Sequence, residues 1–70
     1  MSDTSRSELA NRRQRKGLRQ RELAAAIGVR RPYLSAIENG RLTPGTQLVL
    51  KLATALDCTP NTILKDLGLM

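Results

Sequence analysis

Seventy residues make one small domain, close to the shortest that folds unaided, and an apolar share of 40% is too high for a disordered tail. No run of about 18 apolar residues is present to span a bilayer, and the polar start MSDTSRSE does not read as a signal peptide. Histidine is absent, cysteine occurs once (Cys58) and the net charge is +6, which argues against acid–base or nucleophilic catalysis, a metal or cofactor and an internal disulfide, and favours an anionic partner.

No strand signal appears, because β-branched residues are scattered and no alternating run reaches five. Helix signals recur five times. Ser5 and Glu8 have capping-box spacing, and a helix from there places Leu9 and Arg13 on one face and stops near Gly17. A second helix is predicted over about 20–27, with Leu23, Ala24 and Ile27 as its apolar stripe and Gly28 as its stop. A third runs over about 31–39. Leu34 and Ile37 are three apart, Tyr33 lies four before Ile37, Pro32 is tolerated in the first turn, and Asn39-Gly40 ends it. After the turn-rich residues 41–45, a fourth helix over about 46–56 turns Leu48, Val49, Leu52, Ala55 and Leu56 inward. Thr59-Pro60 opens a fifth, carrying Ile63, Leu64 and Leu67 and ended by Gly68. The predicted fold is all-α, a compact bundle of five short helices in one domain over 1–70, with 1–5 expected to be flexible.

Charge is unevenly spread. Residues 6–41 hold ten basic residues against three acidic ones, whereas residues 42–70 are neutral. All nine arginines lie in the first stretch. Arginine presents a fork that suits phosphates and guanine edges, so nucleic acid is the expected partner; a charge serving only solubility is the plainer alternative.

The segment from Gln20 to Ile37 carries the most information. Ala24 precedes Gly28 by four residues, and Leu34 and Ile37 follow Gly28 by six and nine. Two helices that cross at ~90–120° through a tight turn approach closely. A small side chain at Ala24 permits the approach, and a residue without Cβ at Gly28 permits a left-handed turn. Leu34 and Ile37 pin the second helix onto the first. An ordinary helical hairpin lacks this combination of register and basic surroundings.

On these residues the chain resembles the Cro and phage-repressor (XRE-type) helix-turn-helix family. The matching elements are Arg13, Gly17-Leu18, Gln20-x-Glu22-Leu23-Ala24, Gly28-Val29, Tyr33-Leu34-Ser35-x-Ile37-Glu38-Asn39-Gly40, Pro44, Lys51-Leu52-Ala53-x-Ala55-Leu56 and Thr59. The resemblance covers about residues 9–64. It implies a five-helix, lambda-repressor-like DNA-binding domain with a central helix-turn-helix, working as a homodimer on a palindromic operator in double-stranded DNA, and hence a transcription regulator in the cytoplasm at the nucleoid. Arg30, where family members often carry a small capping residue, departs from the pattern.

Plotted at about 100° per residue, Leu34, Ile37, Arg30 and Glu38 fall on or beside the inward face of the third helix. Pro32, Ser35, Ala36 and Asn39 fall opposite, with Arg31 on the flank. The small outward residues suit a helix lying deep in a major groove. Arg31, Pro32, Ser35 and Ala36 are therefore the expected base-contacting residues, with Arg31 reaching a guanine edge. Gln20, which clamps a phosphate by resemblance, joins Arg30, Asn39, Arg41, Thr43 and Thr46 as expected backbone contacts. Glu38 sits where the helix dipole disfavours an anion, and the resemblance gives Arg13 as its structural partner.

Leu64, Leu67, Leu69 and Met70 make an apolar end on the uncharged part, expected either to pack on the core or to form a dimer interface. Cys58 reads as a small semi-buried residue. An antitoxin that binds a toxin and its own promoter is the alternative function, although the short stretch after Thr62 leaves little for toxin binding. A non-specific cationic protein would place its basic residues along one amphipathic stripe instead.

Overall fold

The computed structural model describes residues 8–69. Within them the chain forms five helices and no strand: α1 (Glu8–Arg15), α2 (Gln20–Ile27), α3 (Arg31–Glu38), α4 (Thr46–Ala55) and α5 (Pro60–Asp66). The capping role expected of Ser5 lies outside the described residues. α2 packs on α3 and α4, while α5 packs on α4 and α1.

Aliphatic side chains alone build the core. Leu9, Leu23, Ile27, Leu34, Ile37, Leu52 and Ile63 are fully buried, at least one from each helix. Truncating any one to alanine costs about 2–5 kcal/mol, a large part of the whole stability of a small domain. On α4 the inward stripe is Val49, Leu52, Ala53 and Leu56; Leu48 and Ala55 are only half-buried. The expected stripe therefore omitted Ala53, whose small side chain fills the i+4 place after Val49 and lets α4 sit close to its neighbours.

Helix ends follow local chemistry. Thr59 caps α5, its hydroxyl accepting from the Thr62 N–H at 3.2 Å, and Pro60 occupies the first helical position. Glu22 folds back on the start of α2, its Oε1 accepting from the Arg19 N–H at 2.7 Å. Gly28 ends α2 at φ 78°, a left-handed conformation that costs an L-residue about 1–2 kcal/mol. The Gly28 and Val29 N–H groups return to the Ala25 and Ala24 carbonyls at 3.2 and 2.9 Å, closing the turn that swings the chain into α3. The same closure follows α4, but there Asp57 supplies the positive φ, 58°.

Candidate nucleic-acid interface

α3 is held against α2 by Leu34 and Ile37, both fully buried, so its opposite face looks outward. Pro32 and Asn39 are exposed there, and Ser35 and Ala36 are half-buried. Asn39 Nδ2 donates to Ser35 Oγ at 3.4 Å, joining the two polar side chains of this face. Among the described residues, this face of α3 itself carries no long apolar side chain.

Arg31 is exposed and leans toward the start of α2, where it lines a cleft with Arg19, Gln20 and Arg21. None of these three arginines forms an ion pair with a described carboxylate. Arg19 and Arg21 were not among the residues expected at this surface. Their signal is present in the sequence as Arg19-Gln20-Arg21, but a helical plot of α3 alone does not include them.

Arg30 departs from its expected place. It precedes α3 with extended backbone, φ −81° and ψ 152°, and its side chain is exposed. The 100° rule therefore does not apply to it, and it does not face inward. Its side chain gives α3 no cap. Arg41, Thr43 and Thr46 are exposed on and after the loop that follows α3, while Pro44 is buried and Leu42 packs on the core, anchoring that loop from beneath.

Behind this surface lies a buried ion pair. Arg13 Nε donates to Glu38 Oε2 at 2.7 Å and Nη2 to Oε1 at 3.3 Å. Arg13 Nη1 also donates to the Leu18 carbonyl at 2.9 Å. Gln20 Nε2 donates to Glu38 Oε1 at 3.1 Å, so one N–H of the expected phosphate clamp is already engaged inside the protein. The second N–H lies on the same planar nitrogen.

Two further cations are paired among the described residues. Arg12 pairs with Asp66 across α1 and α5, and its guanidinium is raised further in pKa, chiefly by that hydrogen bond. Lys16 reaches Asp57 at 3.6 Å. These charges serve the side of the molecule that carries α5. On that side Leu64 and Leu67 pack on the core and Leu69 is 44% exposed. Met70 lies outside the described residues.

The sequence pattern of the Helix-turn-helix family matches residues 9–63. The chain belongs to that family. Among relatives in sequence, the "ImmF control region 10 kDa protein" of Bacillus phage phi105 is 38% identical over 55 residues, covering 79% of this chain and 61% of its own length. The restriction–modification controller protein C.AhdI from Aeromonas hydrophila superposes with a TM-score of 0.74 at 40% identity, over 79% of this chain and 83% of that one. The clp gene regulator ClgR from Corynebacterium glutamicum gives 0.77 at 33% identity, over 86% of this chain and 64% of that one. This chain thus spans less than two thirds of the phage protein and of ClgR.

Proposed function

We propose that this helix-turn-helix chain is a sequence-specific double-stranded DNA-binding transcription regulator that lays α3 in the major groove. The observation that carries the reading is the outward face of α3. It bears short side chains at Pro32, Ser35 and Ala36, and it is bordered by Arg31, Arg19 and Arg21, which no described carboxylate neutralises. In this reading Arg31, Pro32, Ser35 and Ala36 meet base edges. Gln20, Asn39, Arg41, Thr43 and Thr46 meet the sugar-phosphate backbone, joined by Arg19 and Arg21.

The kinship with a phage control-region protein and with a restriction–modification controller supports a regulatory role. A homodimer on a palindromic operator follows the same reading. It would place two copies of α3 about 34–36 Å apart, one duplex turn. Exposed Leu69, beside Leu64 and Leu67, is the proposed contact between copies.

Selection of bound sites from random duplex DNA at two salt concentrations tests the reading. Base contacts enrich a two-fold symmetric sequence, and phosphate contacts give a steep fall of affinity with salt. Binding without preference for any sequence would overturn it.

A further inference from the structure

α3 has two flanks. Arg31 lies on one, beside the start of α2; Tyr33, about 200° further round the helix, lies on the other. On the Tyr33 side a cleft opens between the turn that follows α2 and the outer face of α4. Val29 and Leu48, half-buried against the core, form its floor, and Arg30, Tyr33, Gln47 and Lys51 form its rim. Among the described residues no acidic one lines this cleft, and no described carboxylate pairs with Arg30 or Lys51. Tyr33 is the chain's sole aromatic residue, yet it is 42% exposed.

We propose that this cleft seats the sugar-phosphate backbone of the DNA strand opposite the one at the Arg19–Arg21 cleft. The inference rests on the DNA-binding reading and deepens it by assigning the second wall of the groove. A helix with its side chains is about 10–12 Å across, and a major groove is about 12 Å wide. A helix lying in that groove therefore meets a strand on each flank. One flank has Arg19, Arg21 and Arg31; the other has Arg30, Lys51, the Gln47 amide and the Tyr33 hydroxyl. The lining also matches the ligand. A backbone unit is an anion joined to a largely apolar deoxyribose ring, which suits donors on the rim and aliphatic carbon on the floor. An acidic protein segment shares part of this chemistry. The cleft's place beside the outward face of α3 favours DNA, because any duplex seated on Pro32, Ser35 and Ala36 has a strand passing here.

The experiment compares wild type, Lys51→Ala, Tyr33→Phe, Arg19→Ala and Arg31→Ala on the selected duplex and on an unrelated one, with thermal melts confirming that each variant folds. Lys51→Ala lowers the slope of log affinity against log salt by about 0.9 on both duplexes. Tyr33→Phe weakens binding about threefold to tenfold without changing the slope, because it removes a neutral donor. The chain has no tryptophan, so its tyrosine emission reports Tyr33 alone and changes as duplex saturates the protein. Phosphate-ethylation interference shows which phosphates each protein needs. The phosphate that Lys51→Ala no longer needs lies on one strand, and the phosphate that Arg19→Ala no longer needs lies on the other. If wild type binds and Arg31→Ala weakens it, yet Lys51→Ala and Tyr33 emission show no effect, the cleft lies off the duplex and an acidic protein segment becomes its better occupant. Both phosphates mapping to one strand also overturns the proposal. Failure of wild type to bind any duplex overturns the DNA-binding reading itself.

Discussion

Gln20 Nε2 donates to Glu38 Oε1 at 3.1 Å, tying the first residue of α2 to the last residue of α3. Arg13 completes the junction from α1, with its side chain only 10% exposed against 4% for Glu38. Three helices thus meet at one carboxylate, and Arg13 Nη1 ties the Leu18 carbonyl to the same guanidinium. The arrangement answers a local problem, since an anion at the C-terminal end of a helix opposes the helix dipole unless a cation lies close.

Glu38→Ala leaves the Arg13 guanidinium buried without its partner, a change that costs about 3–5 kcal/mol. At about 4–8 °C per kcal/mol for a domain of this size, the melting temperature falls by roughly 12 °C or more. Gln20→Ala removes one hydrogen bond and costs about 0.5–1.5 kcal/mol. In the Glu38→Ala background that smaller loss disappears, because the acceptor is already gone. Circular-dichroism melts of the four proteins check both statements, and an unchanged melt for Glu38→Ala would falsify the structural role of the pair.

Arg31→Ala relaxes base preference at one position of the bound site by about 1–3 kcal/mol if its fork reads a guanine edge, as proposed. Arg19→Ala and Arg21→Ala behave differently. Each weakens every duplex by a similar factor and lowers the salt slope by about 0.9. Affinities across single base substitutions separate the two behaviours. A uniform loss for Arg31→Ala would make it a fourth backbone residue of the cleft that it shares with Arg19, Gln20 and Arg21.

Arg30→Ser moves stability and binding in opposite directions. Arg30 holds the extended backbone of an N-cap but offers no side-chain acceptor to the start of α3. A serine there supplies the missing oxygen and stabilises the fold by about 1 kcal/mol. It also removes a cation from the rim of the Tyr33 cleft, so affinity for any duplex falls. Melting and binding measured on one preparation test this, and a loss of stability would show that the Arg30 stem contributes packing not evident from its exposure.

Local chemistry makes much of this fold legible in the sequence. α2 begins and ends where its apolar stripe and Gly28 place it, and Thr59-Pro60 marks α5 because a hydroxyl cap and a proline each act within one turn. Arg30 shows where that reasoning fails: a helical plot extended one residue too far turns an exposed N-cap inward. The Arg19–Arg21 cleft and the Tyr33 cleft are not legible for another reason. Each is assembled from different helices, and only packing reveals that Arg31 adjoins α2 or that Lys51 adjoins Tyr33.

Cys58 illustrates the quieter side of the molecule and gives a last prediction. It follows Asp57 in the turn after α4, and its N–H donates to the Ala53 carbonyl at 2.9 Å. Burial pushes its thiol pKa above the ordinary cysteine value, and the positive charge of Arg12 opposes that only in part. The thiolate is the reactive form, so a raised pKa leaves less of it at a given pH. Iodoacetamide therefore modifies the folded protein more slowly at pH 8 than the chain unfolded in urea. Arg12→Gln slows the reaction further, because it removes the cation and leaves Asp66 to disfavour the thiolate. Mass spectrometry over a time course provides the rates, and faster modification of the folded protein would mean that the Arg12 charge outweighs burial at this thiol.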